Sequence, residues 1–128
     1  MDYYLAKQVD LTFDDAIDRV TALLKDEGFG ILTVIDVKET LKKKIDVDFR
    51  KYTILGACNP KLAHQALTHE DKVGVMLPCN VVVQEYDDGR VEVVAMDPLG
   101  PMEAIGNPAL SEMAKEVHTR LERVLSGL

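Results

Sequence analysis

The sequence contains no tryptophan, and its aromatic residues amount to three phenylalanines and four tyrosines. Proteins that grip single-stranded nucleic acid stack bases on aromatic rings within a basic groove, and a formal net charge of −7 works against a phosphate backbone. Nucleic acid is therefore not an expected partner. Cysteine is scarce too, with Cys58 and Cys79 the only two. In a reducing compartment such a pair is expected to stay as free thiols, so a special role would be redox, metal-binding or catalytic, and the ordinary alternative is burial. Serine occurs only at Ser111 and Ser126, neither in the strand-to-helix turn that exposes a hydrolase nucleophile. A P-loop and a complete glycine-rich dinucleotide fingerprint are missing, and "HED" at residues 69 to 71 lacks the second histidine of a zinc-protease helix. No apolar run approaches the roughly 20 residues that span a bilayer, and Met1 is followed by Asp2 rather than by a secretory apolar core. The expectation is a cytoplasmic protein with no membrane partner.

What is present is the material of a folded domain. The chain has 128 residues, 47% hydrophobic and 29% charged, and at that length about two thirds of the unfolded surface is buried on folding. A single α+β domain over 1–128 is expected. Residues 3 to 9 read as a strand, after which Thr12 and Asp15 stand in capping-box spacing. The stripe Phe13, Ala16, Ile17, Val20, Leu23 and Leu24 then marks a helix that Gly28 stops. "ILTVID" reads as a second strand and is followed by a short lysine-rich helix near residues 37 to 45; "KYTILGAC" gives a third strand. Asn59 and Pro60 open the next helix as a side-chain cap and a ring already set to helical φ. "NVVVQEY", "DDG" and "RVEVVAM" form a hairpin. Asp97-Pro98 and Asn107-Pro108 repeat the cap-and-proline pattern, the latter before a final helix striped with Leu110, Met113, Ala114, Val117, Leu121 and Val124. The order is β-α-β-(α)-β-α-β-β-α, a largely antiparallel sheet with helices on one face.

If the third, fourth and fifth strands are antiparallel neighbours, Cys58, Asn59, Cys79, Asn80, Met96 and Asp97 fall at one end of the sheet. A polar, thiol-bearing rim of that kind is a candidate ligand site. His64 and His69 lie five residues apart on one helix, about 140° around its axis, and cannot share a ligand through a common face. His118 borders the last apolar stripe and reads as a structural imidazole, while Glu85 and Glu92 are expected to face solvent or pair with Arg90. Lys42, Lys43 and Lys44 read as a solvated helix face.

The segments "LGACNP" and "LPCNVVVQEYDDGRVEVVAMDP", with the order of elements around them, resemble the family catalogued as domain of unknown function 302, small prokaryotic proteins with no assigned activity. The specific part is the triplet Asn59-Pro60, Leu77-Pro78 and Asp97-Pro98. The resemblance implies a TATA-binding-protein-like fold, a curved, largely antiparallel five-stranded sheet with helices on one face, and fold alone carries no function. It implies no family-wide thiol chemistry, because similar chains keep the three proline motifs without both cysteines.

The reading that follows is a ligand-binding or interaction domain with a small polar, thiol-bearing pocket formed by Cys58, Asn59, Cys79, Asn80 and Asp97. A homodimer is expected, because an open sheet must pair, cover or blunt its edge strands. Two alternatives stand beside it. One is a thiol enzyme or redox sensor using Cys58 and Cys79, and the other is a metal carrier using both thiols with His64 or a water.

Overall fold

Runs of alternating β-branched residues favour strands packed on one side, and the computed structural model, which describes residues 2–128, joins five of them into one antiparallel sheet. The elements are β1 (Tyr4–Val9), α1 (Phe13–Asp26), β2 (Gly30–Asp36), α2 (Val37–Ile45), β3 (Tyr52–Cys58), α3 (Pro60–His69), β4 (Cys79–Glu85), β5 (Val91–Met96), α4 (Leu99–Ile105) and α5 (Pro108–Ser126), with a 3-10 turn at Val73–Met76. The strand order is β1-β5-β4-β3-β2, and every neighbouring pair is antiparallel. This is the expected α+β class, and it is compatible with a TATA-binding-protein-like arrangement.

Strand alternation decides which residues meet the helices. Leu55, Ala57, Val81, Val83, Val91, Val93 and Ala95 point to one face and pack against Ala16, Val20 and Leu24 of α1 and Leu121 and Val124 of α5. Burying one such valine stabilises the fold by about 1.5–3 kcal/mol relative to leaving it in water. A second apolar cluster gathers Ala66 of α3, Val73, Met102 of α4, and Leu110 and Ala114 of α5.

Three helix starts follow from their caps. Thr12 Oγ1 accepts from the Asp15 amide at 3.1 Å, Asn59 Oδ1 from Leu62 at 3.3 Å, and Asn107 Oδ1 from Ala109 at 3.0 Å. Helix α4 was not expected, because Gly100 and Pro101 sit inside it and are poor helix formers. Asp97 also differs from the two asparagines. Pro98 occupies the cap position without a side-chain bond, and Asp97 Oδ1 instead accepts from the Leu99 amide at 3.1 Å. Arg90 pairs with Asp88 at 2.7 Å rather than with Glu85 or Glu92, because the hairpin turn holds Asp88 two residues away. No helix among the described residues is long and apolar enough to cross a membrane.

Candidate functional site

Antiparallel pairing brings the end of β3, the start of β4 and the end of β5 to one side of the molecule, with Ala57 opposite Cys79 and Val81 opposite Ala95. There a cleft with about 50 Å³ of internal room opens between the sheet end, α3, α4 and α5. Cys58, Asn59 and Cys79 line it, together with Leu62, Ala63, Leu77, Pro78, Pro98, Met102, Leu110 and Met113. Its wall draws on both apolar clusters, with Ala57 and Cys79 from the main core and Ala66, Met102 and Leu110 from the second. The cleft is thus the seam where two separately packed units fail to close completely. It is far more apolar than a rim of asparagine and aspartate would be.

The expected site residues divide three ways. Cys58, Asn59 and Cys79 share the wall. Asn59 is held there by its cap bond to Leu62, and its Nδ2 leans on Gly28: a Cβ built on that glycine, which has φ +86°, would stand 2.9 Å from Nδ2. Asn80 goes elsewhere. One residue beyond Cys79 on the strand, it faces the opposite side of the sheet and is exposed. Asp97 is buried beside the cleft, but its carboxylate Oδ1 meets His118 Nδ1 at 3.0 Å. His118 Nε2 in turn lies 3.2 Å from Glu122 Oε1. His118 on α5 therefore bridges Asp97, the residue after β5, and Glu122 one turn along its own helix.

Burial pushes the Cys79 thiol up to about 11, with the neighbouring Cys58 adding to the effect. A nucleophilic or resolving cysteine needs a thiolate near neutral pH, and Cys79 is protonated there. Both cysteines are free thiols. His64 is exposed on α3 and takes no part in the wall, and among the described residues no three His, Cys, Asp or Glu side chains gather to hold a metal ion.

The helix-free face of the sheet carries a surface that strand ends alone do not reveal. Tyr3, Tyr4, Tyr52 and Tyr86, all four tyrosines of the chain, line a groove of about 450 Å³ with Asn80, Gln84, Glu92 and Met96. Its polar centre is fully satisfied. Arg50 Nε donates to Gln84 Oε1 at 3.0 Å, Gln84 Nε2 donates to Glu92 Oε1 at 2.9 Å, and Tyr86 Oη donates to the same carboxylate at 3.0 Å. The Arg50 guanidinium sits 4.5 Å from the Phe49 ring centroid and 5.5 Å from that of Tyr86. The signal in the sequence was the period of two: Asn80, Val82 and Gln84 alternate with Cys79, Val81 and Val83.

The sequence profile described as Domain of unknown function DUF302 matches residues 5–128. The chain belongs to this family. It is also similar, at 31% identity, to an uncharacterized conserved DUF302 protein from Bacillus stearothermophilus whose crystal structure is known; the match covers 99% of this chain and 98% of that one, with a TM-score of 0.92. No curated protein matches. In this DUF302 chain the three proline motifs meet at one place, since Asn59, Leu77, Pro78 and Pro98 all line the cleft.

Proposed function

We propose that this DUF302 domain is a binding module whose cleft at the sheet end takes a small apolar molecule or the apolar tip of a larger one. The observation that carries the reading is the unfilled seam itself, about 50 Å³ of room walled by Ala63, Leu77, Met102 and Met113. Protein interiors pack to crystal density, and cavities lined by apolar side chains stay dry and accept apolar guests. Asn59 supplies one polar wall group, but its oxygen is engaged at the α3 cap. A thiol-enzyme reading has less support, because the buried Cys79 thiol keeps its proton at neutral pH.

A second reading has one observation of its own. Four sulfurs, from Cys58, Cys79, Met102 and Met113, border the same cleft, and thiolate with thioether is the ligand set that selects Cu(I). A bound cation would remove the thiol protons that burial otherwise retains.

Xenon is the probe that separates the two. Under xenon pressure the methyl resonances of Met102 and Met113 are expected to shift in the native protein and to stop responding in Ala63→Leu, which fills the cleft. Methyl signals unmoved by xenon would sink the apolar reading. Retention of Cu(I) against a competing chelator, lost in Cys79→Ser, would then install the second.

A further inference from the structure

We infer that the β2–α2 segment is the contact surface for a second copy of this chain, joined through antiparallel pairing of β2 with β2 so that one sheet runs across both. The inference is independent of what the cleft binds.

The segment is apolar where nothing covers it. Leu32 is 67% exposed, Val34 65%, Ile35 46%, Ile45 63% and Val47 41%. On an ordinary edge strand one face is buried and the other polar; β2 buries no residue on either face, and α2 buries none. Isolated exposed side chains are normal, but here Val34 and Ile35 expose apolar groups on opposite faces of the strand and Leu32 adds a third, so neither face of β2 is covered.

The backbone adds direction. β2 pairs only with β3, so its outer edge presents unpaired amides and carbonyls. Natural edge strands are blunted with inward charges, proline or coverage, yet "ILTVI" at residues 31 to 35 has neither charge nor proline. The only device on it is the register shift between Ile31 and Thr33.

Charge and symmetry select the occupant. An edge strand is self-complementary across a two-fold axis, because the donors and acceptors of one copy meet those of the other running the opposite way. Antiparallel pairing sets the Asp36 end of one β2 beside the Gly30 end of the other. The first end leads into α2, where Lys42 pairs with Asp46 and Asp48 and Lys43 with Glu39, and the second follows Glu27, which pairs with Arg123, so it is the regional charge balance that acts between copies. Residues 37–51 hold six Lys and Arg against three Asp and Glu, in a chain whose net charge is −7. The segment's excess of three positive charges therefore complements the acidic remainder of the partner copy.

The test is sedimentation equilibrium of the full chain from about 1 to 100 µM, with circular dichroism to confirm folding of each variant. The native chain is expected at twice 14.2 kDa. Val34→Lys and Leu32→Lys, both at exposed positions that the monomer does not bury, are expected to weaken the dimer at least tenfold with the fold intact. Ala6→Lys on the opposite edge strand is expected to change nothing. A native monomer throughout the range would overturn the inference, as would a dimer that survives both β2 substitutions or one that dissociates only in Ala6→Lys. A salt-insensitive dimer disrupted by Val34→Lys would keep the strand pairing and overturn the charge argument.

Discussion

At β1 the sheet edge is turned inward by Lys7, whose ammonium donates to the carbonyls of Leu125 at 3.2 Å and Leu128 at 2.8 Å, whereas at β2 Leu32, Val34 and Ile35 stand in solvent. Both are outer strands of one sheet with a single neighbour each. The first is finished within the chain. Its inward lysine adds a second donor to the Leu125 carbonyl, which already accepts from the Leu128 amide, and complements the negative end of that helix, and α5 packs beside it. The second is apolar and uncharged from Ile31 to Ile35, with no inward charge to blunt its edge. The difference teaches that an edge is not a single kind of liability: one carries an inward charge, and the other is left apolar, as the inferred pairing would use it.

The strongest way to break this contrast is to loosen β2 from β3. Gly56 has no room for a side chain, since a Cβ there would collide with Thr33 Oγ1 and stand 3.0 Å from Pro78 Cγ. Gly56→Val is expected to cost about 3 kcal/mol by overpacking, read from urea unfolding, and to weaken the dimer because the β2 backbone must move. Retained stability would show that β2 yields freely and that its edge is not a fixed template.

The centre of the sheet supplies a control that depends on neither edge. Cys79 has its pKa raised from 9.0 to about 11, so the folded state holds the proton more tightly than the unfolded chain. Stability from this group is complete below about pH 9 and is lost as pH rises toward 11, a loss of about 2 kcal/mol after allowing for residual solvent access. The same alkaline loss is expected in native protein and Val34→Lys, and is absent in Cys79→Ala. A loss that starts near pH 7 would mean that Cys79 is a reactive thiolate and would return the thiol-enzyme reading.

Lys7→Met tests the closed edge. Removing the two bonds to the end of α5 is expected to cost about 1 kcal/mol without changing the sedimentation mass, because α5 still packs beside the strand. Appearance of higher oligomers would sharpen the comparison by showing that Lys7 alone kept β1 from pairing. The smallest effect concerns the tie between α1 and α5. The Arg123 hydrogen bond holds the Glu27 carboxyl below its ordinary value of 4.5, so its contribution is present above that pH and fades as pH falls through the lowered value. Glu27→Gln is expected to cost less than about 0.5 kcal/mol at pH 7 and to flatten the acid limb of a thermal-stability profile.

The fold was legible where local chemistry decides it. Thr12, Asn59 and Asn107 each cap the helix that their sequence context marks, and the β4–β5 hairpin lies where "DDG" puts it. Helix α4 escaped because it is held by Met102 and its packing on α5 rather than by propensity. Of the candidate site, Cys58, Asn59 and Cys79 converge as strand ends imply. Asn80 does not, since a strand's period of two sends adjacent residues to opposite faces, and Asp97 is claimed by His118, a partner 21 residues away that no local pattern joins to it. The bare edge of β2 was illegible for a different reason. "ILTVID" identifies a strand, but only the order β1-β5-β4-β3-β2 places it at a margin.

Hydrogen exchange along the two edges, followed against protein concentration, tests the central contrast most directly. The β2 amides within Gly30–Asp36 that make no bond to β3 are expected to exchange slowly at about 100 µM and to become fast on dilution below the dimer dissociation constant, while β1 amides hold one rate throughout. Fast exchange at β2 at every concentration, or a concentration dependence at β1 instead, would contradict the account.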